Sequence, residues 1–140
     1  MLAATTVAWI AAAVFAVLSA MHVYWAALGT SGSVAVPEVN GRPAFVPGRG
    51  VTVLVAVALA AASLVVLARV GVVLPGLPTW LTRAAAGVLG ATFVLRAIGE
   101  RNLVGFFKRV HGTAFARWDT WLFSPLCLTL GAASLWLTTV

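Results

Sequence analysis

Charge is scarce in this chain. Only 9% of its 140 residues are Asp, Glu, Lys or Arg, where a soluble domain carries about 25%. Acid is scarcer still: Glu38, Glu100 and Asp119 are the only carboxylates. Cysteine is reduced to Cys127, which excludes an intramolecular disulfide and a dithiol relay of the kind that reduces quinones. The two histidines, His22 and His111, offer no three- or four-ligand zinc cluster. A bis-histidine haem would need them face to face, yet His111 lies in a surface connector. No glycine-rich phosphate loop follows a strand. The sequence therefore points to no metal and no cofactor.

Apolar residues are what the chain has in excess, at 62%, with a mean hydropathy of +1.07. Water is not the solvent for most of such a surface. The net charge of +6 could suggest nucleic acid, but the basic residues sit in connectors between apolar runs. There they face lipid phosphates or set topology, so membrane lipids are the expected partner and nucleic acid is not.

The expected fold is all-α: one domain over residues 1–140, a four-transmembrane-helix bundle with helices near 2–28, 51–70, 79–99 and 118–139. About 20 apolar residues suffice for a span. No Lys or Arg precedes the first run, which speaks against a cleaved leader ending near Leu18-Ser19-Ala20. Ala4, Ala8, Ala12, Ala16 and Ala20 recur every four residues and suggest a smooth packing ridge, and Gly87, Gly90 and Ala91 suggest another. Residues 29–50 contain five glycines and three prolines, forbid a regular helix and predict a lid over one membrane face. In the last connector Leu103, Phe106, Phe107 and Val110 fall at i, i+3, i+4 and i+7. That spacing predicts a short amphipathic interfacial helix between helices 3 and 4, stopped by Gly112. Pro125 predicts a kink in helix 4, or else a helix that begins at Ser124.

The 32 residues from Arg96 to Cys127 hold five of the nine cations and two of the three acids. Arg96 with Glu100, and Arg117 with Asp119, are expected as ion pairs. Four spans put Arg42, Arg49, Arg96, Arg101, Lys108, Arg109 and Arg117 on one membrane face and Arg69 and Arg83 on the other. The positive-inside rule then places the long connectors in the cytoplasm and both termini outside, in a bacterial inner membrane.

Four stretches carry a family likeness: His22-Val23-Tyr24-Trp25-Ala26-Ala27-Leu28-Gly29, Gly105-Phe106-Phe107-Lys108-Arg109, Phe115-Ala116-Arg117-Trp118-Asp119-Thr120 and Ser124-Pro125-Leu126-Cys127. They resemble a bacterial family of small membrane proteins, the domain of unknown function 3995, over essentially the whole chain. The resemblance implies a four-helix membrane protein and supplies no activity.

Three functions stay open on the residues alone. The first is a ligand-binding protein that receives a lipid-like or other amphipathic molecule at a polar site on the cytoplasmic face, with His22, Tyr24, Trp25, Arg96, Glu100, Arg117 and Asp119 as binding residues. The second is a membrane-embedded isomerase, cyclase or hydrolase using His22, Glu100 and Asp119 as acid/base groups. The third is a structural or accessory subunit that pairs with a second copy or with another membrane protein.

Overall fold

Four long helices carry the chain through a computed structural model that describes residues 1–29 and 35–140. They are α1 (Leu2–Leu28), α2 (Arg49–Arg69), α3 (Thr79–Ile98) and α4 (Ala114–Leu137), each long and apolar enough to cross a membrane. At 1.5 Å per residue all reach about 30 Å or more, the thickness of a hydrocarbon core. Leu54, Val57, Leu64, Val88 and Leu95 stand exposed along them. An apolar exterior of this kind is stable only where lipid replaces water.

The helices form two closely packed pairs, α1 with α2 and α3 with α4, which meet each other more lightly. Small residues make the first pair. Ala4, Ala8, Ala11, Ala12 and Phe15 of α1 are buried against Ala56, Leu59, Ala62 and Val66 of α2. Two serines cross the seam in opposite directions: Ser19 Oγ donates to the Ala56 carbonyl at 2.7 Å, and Ser63 Oγ to that of Ala12 at 2.9 Å. The five-alanine ridge holds only for its first three members, because Ala16 and Ala20 are exposed. An α-helix turns once in 3.6 residues, so a repeat of four drifts about 40° per step and leaves the seam.

The second pair crosses at glycine. A Cβ on Gly90 would lie 2.9 Å from the Gly131 carbonyl oxygen, and one on Gly131 would lie 2.9 Å from the Val94 amide nitrogen. Of the expected Gly87/Gly90/Ala91 face, Gly90 makes this contact. Gly87 has room for a methyl group, and Ala91 is exposed. Phe15 and Phe93 meet edge to face, with centroids 5.1 Å apart, and join the two pairs.

Two connectors share one end of the bundle. The first contains a two-stranded ribbon, β1 (Glu38–Val39) and β2 (Arg42–Pro43), antiparallel around Asn40-Gly41. Both turn residues have positive φ, 52° and 73°, as a type I′ hairpin turn requires. Residues 30–34 of the expected lid lie outside the described residues.

The second connector corrects two expectations. No helix forms between Gly99 and Thr113, so the amphipathic interfacial helix over Leu103–Val110 is absent. The chain there bends repeatedly, with Gly99, Arg101, Gly105 and Gly112 all at positive φ, and a run of such residues cannot continue a right-handed helix. Helix α4 then begins at Ala114, earlier than the sequence suggests, capped by Thr113, whose Oγ1 accepts the Ala116 N–H at 3.0 Å. It continues through Pro125 rather than starting at Ser124. Residues Asp119–Phe123 form a π-helical turn, and the Ser124 N–H reaches back five residues to the Asp119 carbonyl. The wider turn spaces the helix where the proline ring would otherwise press on the preceding turn.

Candidate functional site

The second connector is built on two glycines set back to back. A Cβ on Gly99 would lie 1.9 Å from the Val104 carbonyl oxygen, and one on Gly105 would lie 2.4 Å from the Gly99 Cα. With φ of +82° and +88°, both positions favour glycine twice over, by space and by conformation. The fold-back lets Phe106 N–H donate to the Ala97 carbonyl at 2.9 Å. Glu100 accepts the Leu103 N–H at 2.8 Å, and the Asn102 carbonyl accepts from the Arg109 and Val110 amides. These bonds hold the shape of the loop.

What this loop surrounds is Asp119, which is fully buried. Its Oδ1 accepts from Arg96 Nη2 at 2.9 Å, and its Oδ2 accepts from Lys108 Nζ at 3.0 Å and from the Gly105 amide at 2.8 Å. Lys108, buried as well, also donates to the Gly105 carbonyl at 3.0 Å and to Thr120 Oγ1 at 2.6 Å, so all three of its donors are used. The ion pairs expected from spacing are therefore replaced. Gly99 turns Glu100 away from Arg96, and Arg117 donates to the Gly112 carbonyl at 3.4 Å. Asp119 lies in the second turn of α4 rather than at its end, because the helix begins five residues before it.

Beside this cluster opens a cleft of about 420 Å³. Trp25 of α1, Val36, Pro37, Phe45 and Pro47 of the first connector, Val51 and Val55 of α2, Val104 and Phe115 supply apolar walls, and His22, Thr52 and Arg96 the polar side chains. Thr52 Oγ1 donates to the Gly48 carbonyl. His22 Nδ1 lies 2.7 Å from the Leu18 carbonyl, which can only accept, so the proton is on Nδ1 and Nε2 is left without a partner among the described residues. His22 stands edge to face with Trp25, centroids 5.0 Å apart. Arg96 lines the cleft with one amino group, Nη2, committed to Asp119, while the other, Nη1, is buried and has no hydrogen-bond partner.

Of the residues expected at a site, His22, Trp25 and Arg96 line the cleft, and Asp119 stands behind Arg96 as its anchor. Tyr24 is exposed, and Glu100 and Arg117 are exposed on the loop and on the first turn of α4. The three acid/base candidates are thus in three different settings: His22 in the cleft, Glu100 stapling a loop, and Asp119 with both oxygens engaged. Lys108, the Gly99/Gly105 pair and Phe115 are additions of the structure. Among the described residues no group of three or more His, Cys, Asp or Glu is placed to hold a metal ion.

A family model described as "Protein of unknown function (DUF3995)" matches residues 15–134. No curated protein and no solved structure matches the chain.

Proposed function

We propose that this chain, which belongs to the DUF3995 family of proteins of unknown function, binds a lipid-like or other amphipathic molecule in the cleft between α1, α2 and α3. One observation carries the reading: an apolar cleft of about 420 Å³ is lined, from two facing helix pairs, by His22, whose Nε2 has no partner among the described residues, and by Arg96, whose buried Nη1 has none either. Small-molecule sites typically measure about 300–1,000 Å³ and combine apolar walls with a few convergent polar groups. A buried guanidinium nitrogen without a partner is costly, and a ligand's polar head removes that cost. Native mass spectrometry of the gently solubilised protein, followed by extraction, tests this. One amphiphile retained per chain is the expected result; a bare chain, or one carrying only bulk lipid, would favour an accessory subunit instead.

The site faces the cytoplasm of a bacterial inner membrane in this reading. Arg96 and Lys108 are held by Asp119, which offsets one of their two charges. Setting them aside, Arg42, Arg49, Arg101, Arg109 and Arg117 are exposed at the cleft end, against Arg83 at the other; Arg69 is half-buried and donates to the Val140 carbonyl. The excess of exposed positive charge at the cleft end supports a cytoplasmic placement. In a Cys127→Ala background, a cysteine at exposed His111 should react with an impermeant maleimide from the cytoplasmic side and one at Gly76 from the outside. The reverse pattern would invert the topology.

A further inference from the structure

We propose that the head of the bound amphiphile is an oxyanion, a phosphate or carboxylate, received by the part-exposed Arg96 guanidinium. The inference rests on the cleft being a ligand site and adds the chemistry of the head. Charge bookkeeping carries it. The buried cluster sets two cations, Arg96 and Lys108, against one carboxylate, Asp119. Neither Glu38 nor Glu100 forms an ion pair among the described residues, so one positive charge is in excess at the inner end of a cleft whose walls are apolar. Intramembrane charges of this kind require a partner. Lys108 is screened from the cleft, with 1% of its side chain exposed and every donor used; Arg96 is 34% exposed and has an unused donor. The excess charge is therefore presented at Arg96.

The geometry also prepares the arginine. Asp119 holds Nη2 at 2.9 Å and tethers the guanidinium at the cleft before the ligand arrives. Guanidinium donors in a fixed plane match an oxyanion better than a neutral hydroxyl, and their hydrogen bonds to it are charge-assisted.

Binding of dodecyl phosphate, dodecanol and inorganic phosphate, measured by native mass spectrometry in dodecylmaltoside, separates the alternatives. Dodecyl phosphate should bind about tenfold or more tighter than dodecanol, the difference a charged hydrogen bond makes. Arg96→Gln should narrow that preference, and Arg96→Lys, which keeps the charge and a bond to Asp119, should narrow it less. Equal binding of phosphate and alcohol by the wild-type protein would overturn the anionic head and leave the amphiphile reading standing. Binding of neither would overturn the amphiphile reading itself. Inorganic phosphate competing as well as dodecyl phosphate would show an anion site that does not read the chain.

Discussion

Two polar regions touch at Arg96 and could hardly be treated more differently by the fold. Around Asp119 the polar side chains are satisfied: three donors converge on the carboxylate, and Lys108 spends all three of its protons. In the adjoining cleft, among apolar walls, stand His22 and Arg96, whose Nε2 and buried Nη1 are left unspent among the described residues. A saturated buried network contributes rigidity and is costly to interrupt. An unsaturated one contributes little to the empty fold and has something to offer a ligand. The cluster is thus read as the foundation and the cleft as the working surface.

Substitutions on the two sides should separate stability from binding. Asp119→Asn should have the largest effect, because it strands the buried Lys108 and the part-buried Arg96. Removing one partner of a buried pair costs about 3–5 kcal/mol, read as a lowered midpoint in a denaturing-detergent titration. A midpoint close to wild type would mean that the cluster is not structural. Next comes Gly105→Ala. Its Cβ would press on the backbone of Gly99, and its left-handed conformation alone costs about 1–2 kcal/mol. Both variants should lower stability and ligand retention together, since each releases Arg96.

The apolar half of this structure was legible and much of the polar half was not, for a physical reason. Four spans follow from run length and composition, since a backbone in hydrocarbon must satisfy itself within each helix. The Asp119 cluster is assembled from α3, a loop and α4. Local spacing paired Arg96 with Glu100 and Arg117 with Asp119, each within reach along the chain, whereas the pairs formed span 23 and 11 residues. Leu103, Phe106, Phe107 and Val110 imitate a helical stripe that would set Lys108 on a polar face, whereas the loop buries it. The contrary signal was present in Gly99, Gly105 and Gly112, which punctuate the segment too often for a helix. Asn40-Gly41 was a second unread sign, the strongest short-range mark of a hairpin. His22, Trp25 and Arg96, which line the cleft, draw notice in the sequence because polar and aromatic groups at span ends need a reason to be there.

A smaller effect is expected at the α1–α2 seam, about one turn of α1 from His22. Ser19→Ala removes the hydrogen bond to the Ala56 carbonyl. Interhelical bonds in membranes average about 0.6 kcal/mol, so the unfolding midpoint should fall slightly and ligand retention should not change. A loss of ligand here would show that the cleft depends on the whole seam rather than on its lining.

His22→Ala should change stability least and decides most. The ring's hydrogen bond is to its own helix, at Leu18, and α1 keeps its backbone bonds without it. The ring is half-buried and touches Trp25, so its removal enlarges the cleft without stranding a charge. The unfolding midpoint should therefore stay within about 0.5 kcal/mol of wild type, as for substitutions that break no buried network, while the fraction of chains retaining an amphiphile falls. The opposite pattern, a lower midpoint with retention intact, would make His22 part of the foundation. The unspent nitrogens of the cleft would then need another explanation than a ligand. Asp119→Asn cannot supply that distinction, because it disturbs both regions at once. His22 can, because it belongs to the cleft alone.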